Sequence, residues 1–312
     1  MAHHDLPALS EHVHWGYFDA ALPPVLEVES ADTITVSTVS GAPEYMPGPP
    51  HVVPEPLRKI HRDLLPELGP HILTGPISVR GARPGAQLEI EILDIVLDAD
   101  WGWNVHRPGL GTLPETEFPD PWIRHLPIDR TAMTTTMPWG APLALRPFFG
   151  ILAVAPPPSA GRVSSKPPSF YGGNMDNKEL IAGSRVFLPV FVEGGLFSAG
   201  DGHAVQGDGE VNLTALETCL TGTFRLTIHQ ARPFLRPRAI TPTHYITHGF
   251  HPDLDVAAQD ALRDMIAWLV ELLDISREDA YMFCSLAADL HVTQLVDGNK
   301  GVHAMVERAS FD

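Results

Sequence analysis

"GPISVRGARPGAQLEIEILDIVLD", residues Gly75–Asp98, reads as two strands about a turn. Leu88, Ile90 and Ile92 alternate with Glu89 and Glu91, the period of two expected of a strand with one buried face. Pro84-Gly85 supplies the turn, and "ISVRGA" before it is strand-like. Upstream, "PPVLEVESADTITVSTVSG" (Pro23–Gly41) follows the same plan, with a Ser-Ala-Asp turn. Both stretches are expected to be hairpins. Downstream, "RVFLPVFVEGGLFSAG" (Arg185–Gly200) is a more continuous apolar run and fits a strand buried on both faces. "TGTFRLTIHQA" (Thr221–Ala231) puts Phe224, Leu226 and Ile228 on one face. The segment Ala99–Pro147, rich in Pro, Trp and Gly, reads as a long ordered loop with short strands.

The pattern changes after Pro242. "DLDVAAQDALRDMIAWLVELLDI" (Asp253–Ile275) spaces Leu254, Ala258, Leu262, Met265, Ile266 and Leu269 as one face of a helix, with Asp253 or Asp255 as N-cap. "SREDAYMFCSLAADL" (Ser276–Leu290) reads as a second helix capped by Ser276, and "HVTQLVDG" (His291–Gly298) as a strand ending in a turn. The expected fold is mainly β: a β-rich body over residues 1–241, then a smaller helical α/β element over 242–312 packed on it.

The 312 residues carry 38 acidic and 21 basic side chains, a formal charge of -17. That balance speaks against nucleic acid and anionic membrane surfaces as partners, since both need a cationic face. No apolar run approaches the ~20 residues of a membrane span. The N-terminal "MAHHDLPALSEHVHWG" has neither the basic nor the apolar region of a signal peptide, so a cytoplasmic location is expected. Cys219 and Cys284 form neither a disulfide framework nor a metal knuckle and are expected to be buried and structural. There is no G-x-S-x-G elbow, which makes a covalent serine or cysteine mechanism the weaker choice, and no G-x-G-x-x-G fingerprint, which excludes a nicotinamide cofactor.

One segment fits neither core nor ordinary surface. "SAGDGHAVQGDGEVNLTALET" (Ser198–Thr218) holds two Asp-Gly pairs, and Val205 is the one hydrocarbon side chain larger than alanine between Ser198 and Glu210. In extended chain, i and i+2 share a side, a condition met by Asp201/His203, by Asp208/Glu210 and, in "FYGGNMDNKEL" (Phe170–Leu180), by Asn174/Asp176. Carboxylate oxygen and imidazole nitrogen suit Zn²⁺, Mn²⁺ or Fe²⁺. Two surface turns are the alternative reading of the same spacing. His71 and His106 are candidates for a pocket. His244, His248 and His251 have helical spacing, but Gly249 and Pro252 argue against a helix there.

"GGNMDNKEL" (Gly172–Leu180) followed by "LPVFVEGGLFSAGDGHAVQGDGEVNLTALET" (Leu188–Thr218) resembles the signature of the acetamidase/formamidase family. "LTGPISVRGARPGAQLEIEILDI" (Leu73–Ile95), "LPPVLEVESADTITVST" (Leu22–Thr38) and "AYMFCSLAADLHVTQLVDG" (Ala280–Gly298) resemble further family segments. The family's usual Pro-Gly-Asp turn reads Pro-Gly-Ala here, with Ala86 in place of the acid, and the stretch Trp101–His125 matches no family segment.

The resemblance implies a β-sandwich-rich body, a divalent metal, and hydrolysis of a short aliphatic amide to carboxylate and ammonia, with a homo-oligomer as the expected assembly. On this reading Asp201 and His203 are metal ligands, joined by Asp176 and Glu217. Glu210 is the general base, and Asn174 orients the substrate or donates to the oxyanion. Zinc leads among the ions, with Mn, Fe or Ca as alternatives. Two other readings stay open: a non-catalytic β-sandwich module with a structural Ca²⁺ site, and a hydrolase of another linear C–N bond on the same fold. Residues Trp101–His125 are expected to shape the substrate pocket.

Overall fold

In the computed structural model, residues 1–230 and 234–310 are described. Among them two large sheets lie face to face, one of nine strands and one of eleven. The seam between them is apolar: Phe224 of the first sheet meets Phe149 and Phe197 of the second at ring-centroid distances of 5.3 and 5.8 Å. Ile34, Ile90, Leu226, Leu73, Ile77 and Ile151 complete the same core from both sides. Burying each such side chain contributes about 1.5–3 kcal/mol, so this seam is where the fold draws its stability. The chain is mainly β, as its alternating segments predict.

The two expected hairpins are corrected. Strand Ile72–Val79 pairs with Phe197–Val205 in the eleven-stranded sheet, whereas Gln87–Leu97 pairs with Arg185–Pro189 and Leu220–His229 in the other. The upstream pair behaves alike: Leu26–Val28 joins Ile72–Val79, and Asp32–Thr38 joins Leu220–His229. Each turn therefore carries the chain across the sandwich instead of back along its own sheet. Alternation determines which face of a strand is buried and says nothing about its hydrogen-bonding neighbour. Here both sheets bury a face against one core, so the same pattern serves an arch as well as a hairpin.

The apolar run Arg185–Gly200 is likewise two strands, Arg185–Pro189 and Phe197–Val205, one in each sheet. It breaks at Gly194 and Gly195, which take φ of +79° and +69°. Gly194 also has Ser78 so close that a Cβ would lie 2.3 Å from its hydroxyl, so glycine is required at this crossing. Leu220–His229 keeps the expected face, with Leu220, Phe224 and Leu226 fully buried; Ala231 lies outside the described residues. Within Ala99–Pro147 the strands are more regular than expected: Trp101–His106 and Trp122–Asp129 form an antiparallel pair toward one edge of the eleven-stranded sheet.

Beyond Pro242, strands His244–His251, Lys300–Glu307 and Ala288–Gln294 extend the nine-stranded sheet past Arg238–Ile240, so that sheet runs without a break across residues 241 and 242. Helices Leu254–Leu273 and Arg277–Ala287 pack on this end. Their caps are the expected ones. Asp253 accepts from the amides of Asp255 and Val256, and Ser276 accepts from that of Asp279. Gly249 lets the first helix close on the sheet, since a Cβ there would sit 1.9 Å from the Ala257 carbonyl oxygen. A short helix, Glu55–Asp63, was not expected from the strand-like pattern; it buries Leu57 and Ile60. Among the described residues no helix is long and apolar enough to cross a membrane.

Candidate active site

Five neighbouring strands of the eleven-stranded sheet line up a row of side chains. Register pairs Phe148 with His203, His203 with Glu217, Glu217 with Trp103, and Trp103 with His125. Directly opposed residues share a face of a sheet, so the row brings His203 and Glu217 together between two aromatic neighbours. The Phe148 ring meets the His203 imidazole edge-on at 4.9 Å.

The acids reach this row through backbone that leaves ordinary strand geometry. Asp176, Asp201, Glu210 and Asp297 take φ of 47°, 58°, 46° and 67°, the left-handed region that a non-glycine residue occupies at a cost on the order of 1 kcal/mol or more. Asp201 interrupts strand Phe197–Val205 opposite Gly150, so its carboxylate turns toward His203 although the strand continues. Gly150 has no side chain for a reason. A Cβ there would lie 2.4 Å from Asp201 Oδ2 and 2.6 Å from Asp176 Oδ1. Its carbonyl also accepts from the amides of Met175 and Asp176, holding the Asn174–Asp176 turn against the site.

His203 Nε2 lies 3.2 Å from Asp201 Oδ2 and 3.1 Å from Glu217 Oε1, yet neither nitrogen of its ring is aligned for a hydrogen bond. Asp201, His203 and Glu217 form one group with ligand atoms all within 4.8 Å of one another; Asp176, His203 and Glu210 form a second. Asp176 Oδ1, Glu210 Oε2 and Asn174 Oδ1 are buried without a partner. Other oxygens are held. Glu217 accepts from Ser40 Oγ and from the Ala215 amide, while Gln294 Nε2 donates to Asp176 Oδ2, to the Asn174 carbonyl and to Asp297 Oδ2.

The electrostatics follow from so many carboxyls in a dry place. Burial, then the neighbouring Asp201, pushes Asp176 well above the usual carboxylate range. Burial, then Asp176 and Asp297, does the same to Glu210. Burial raises Glu217 and Asp297 each to about 7. For His203 burial alone would favour the neutral ring, but Glu217 and Asp201 prevail and raise it. Asp201 is the exception among the acids: burial works against its charge, yet His203 and His71 hold it below the usual range.

This donor set fits a divalent cation. Bond lengths of about 2.0–2.2 Å to nitrogen and oxygen ligands in a tetrahedral site imply ligand–ligand spacings of about 3.3 Å, close to the two contacts of His203 Nε2. Buried acids that lack hydrogen-bond donors call for positive charge, and Gly150 leaves the room that a Cβ would fill.

All six sequence-derived site residues therefore converge: Asn174, Asp176, Asp201, His203, Glu210 and Glu217. Asp208 does not, despite its spacing from Glu210. Gly209 and Glu210 both take positive φ, and Asp208 points away to Lys178 and His291. His71 lines the pocket, its Nε2 3.9 Å from Asp201 Oδ1. His106 does not line it; it contacts the Phe118 carbonyl and stacks on Trp122. His244, His248 and His251 lie on one strand with separate partners: Thr243 for the first, Asn177 and the Pro237 carbonyl for the second, the Asp253 amide for the third. Both cysteines are buried free thiols, raised by burial to about 12 for Cys219 and about 11 for Cys284. Residues that sequence reasoning missed are Gly150, Gln294 and Asp297. Gly150 carried a signal, a lone glycine inside the apolar strand Phe148–Ala153.

A sequence profile of the acetamidase/formamidase family matches residues 18–161 and 159–307. The chain belongs to that family. It is similar to a formamidase of Methylophilus methylotrophus, 29% identical over 238 residues, covering 56% of this chain and 57% of that protein. It is 32% identical over 204 residues to an acetamidase of Mycolicibacterium smegmatis, covering 46% of this chain and 49% of that one. The chain thus spans about half the length of the curated relatives it matches. Among solved structures, an acetamidase from Bacillus halodurans superposes with a TM-score of 0.85 at 31% identity, covering 98% of each chain.

Proposed function

We propose that this chain hydrolyses a linear primary amide to a carboxylate and ammonia with the help of a divalent cation. The observation that carries the reading is the set of buried, unpartnered atoms around His203 Nε2, which no hydrogen bond among the described residues satisfies. Asp201, His203 and Glu217 would hold the ion, with Asp176 beside them; zinc suits this mixture of oxygen and nitrogen donors best. The imidazole nitrogen at the centre of the carboxylates favours such an ion over Ca²⁺, which takes oxygen ligands. When bound, the ion supplies Lewis acidity, lowering the pKa of water toward ~7 and polarising a carbonyl oxygen.

The remaining work belongs to the chain. Glu210 is buried with Oε2 free and its pKa is raised by burial and by Asp176, so it can hold a proton near neutral pH. As a carboxylate it accepts a proton from the attacking water, whose oxygen bonds to the amide carbon. It then returns that proton to the amide nitrogen as the C–N bond breaks, so that nitrogen leaves as ammonia rather than as an amide anion. The Asn174 carboxamide lines the same pocket; it can donate to the carbonyl oxygen and accept from the substrate NH₂, orienting both. Gln294 steadies Asp176.

The test is ammonia release from short primary amides before and after chelation and gel filtration. Loss on chelation and recovery with Zn²⁺ or Mn²⁺ is expected. Full activity in protein stripped of metal would overturn the reading.

A further inference from the structure

The cavity that holds the acids is larger than a formamide or an acetamide needs. It measures about 240 Å³, room for about eight waters at about 30 Å³ each, whereas those amides are a handful of heavy atoms. Its two sides differ in chemistry. One carries the carboxyls of Asp201, Glu210, Glu217 and Asp297, with His71 and Asn174. The other is apolar, built from Tyr45, Trp103, Val105, Leu110 and Leu213.

The apolar side begins one strand from the chemistry, because Trp103 is the register partner of Glu217 and shares its face. The acyl group of an amide whose carbonyl lies at the acids would therefore run onto the indole. That wall is rigid. Trp103 is 5% exposed, its ring packs on Tyr45 at 4.6 Å and 30°, and the Arg107 guanidinium sits 5.1 Å over the Tyr45 ring. Trp103, Val105, Arg107 and Leu110 all come from Trp101–His125, a stretch that the family profile covers although no family segment was expected there from the sequence.

We infer that this pocket is built for primary amides of bulky apolar acids, with an aryl acyl group seated against Trp103 and Tyr45. The inference rests on the amide-hydrolase reading above and deepens it. A pre-formed apolar wall adds affinity with little ordering entropy to offset, and each added carbon that it covers favours the larger substrate. A substrate bearing its own carboxylate would face Asp201, Glu210, Glu217 and Asp297. Two cations line the pocket and speak for such a substrate: Arg107, which is paired with Glu44, and Lys166, which makes no ion pair among the described residues.

The experiment is kcat/KM of the zinc-loaded protein on formamide, acetamide, isobutyramide, benzamide and succinamate, with benzamide binding followed in parallel by calorimetry. The expected result is a rise of roughly tenfold or more from acetamide to benzamide. Trp103→Leu should lower the value for benzamide by more than that for acetamide. A maximum at formamide or acetamide, or at succinamate, would overturn the inference while leaving amide hydrolysis intact. If no amide is hydrolysed but benzamide binds and Trp103→Leu weakens that binding, the pocket assignment stands and the hydrolase reading falls. If benzamide neither binds nor reacts, the inference is wrong. The wild-type series decides the matter even if Trp103→Leu does not fold.

Discussion

Among the described residues two regions bring acids and histidines within 4.8 Å of one another: the cluster around His203, and the trio Asp208, His291 and His303. In the trio the needs of most groups are already met. Lys178 lies 3.0 Å from one Asp208 oxygen and His291 3.0 Å from the other, with all three side chains partly open to solvent. His303 Nδ1 contacts Thr293 Oγ1 at 2.7 Å, leaving Nε2 as the unpartnered atom. Burial pushes His303 well below its usual pKa, toward the neutral ring. Around His203 no lysine or arginine enters an ion pair among the described residues, several oxygens lack donors, and Asp176 and Glu210 are raised by burial first and by neighbouring acids second. Proximity is common to both regions. Unmet charge in a dry setting belongs to one of them, and that is what supports the proposed cation site there.

The contrast can be broken most severely at His203. His203→Ala removes the atom around which Asp201 and Glu217 converge, and ammonia release should fall by roughly 10⁴-fold or more, since the Lewis acid supplies several kcal/mol of charge stabilisation. Steady-state assay of a variant that keeps the wild-type circular dichroism spectrum checks this; retention of a tenth of the rate would count against it. Glu210→Gln is next. It preserves shape but cannot take a proton, so kcat should drop by about 10²–10⁴ with metal content unchanged. Should this variant purify without metal, Glu210 is a ligand and the base must be sought elsewhere.

Gly150→Ala sharpens the comparison without touching a polar group. Its Cβ would press on Asp201 Oδ2 and Asp176 Oδ1, so metal affinity should weaken by about 10–100-fold, the range seen when groups supporting ligands are disturbed. Competition with a chromogenic chelator measures it, and an unchanged affinity would show that the acids have slack. The smallest effect is expected at Asp208→Asn. An exposed pair with Lys178 is worth little, so kcat and metal content should stay within about threefold of wild type. A loss comparable to that of Glu210→Gln would mean that the trio has been misjudged.

Much of the site was legible because glycine and acid side chains were concentrated where core residues would otherwise be. The route by which the residues meet was not. Asp201 and His203 share a side by spacing, but the contact depends on a left-handed Asp201 opposite Gly150. The same spacing failed at Asp208 and Glu210, where Gly209 at φ +93° turns one side chain out and the other in. Asp297 looked like one half of an ordinary Asp-Gly turn. Its place at the site depends on Gln294, which reaches Asp176 from a strand 118 residues away in sequence. Strand positions followed from alternation, whereas their assignment to sheets did not, since an arch and a hairpin bury the same faces. The helix caps at Asp253 and Ser276 were readable because capping is local.

The central claim is that the unsatisfied cluster around His203 holds a divalent cation. The most direct measurement is elemental analysis of purified wild-type protein and of folded His203→Ala, side by side. The account predicts a stoichiometric divalent transition metal, zinc foremost, in the wild type and its loss from the variant. A variant that retains the wild-type metal content, or a wild-type protein that hydrolyses amides with no such metal bound, would contradict it.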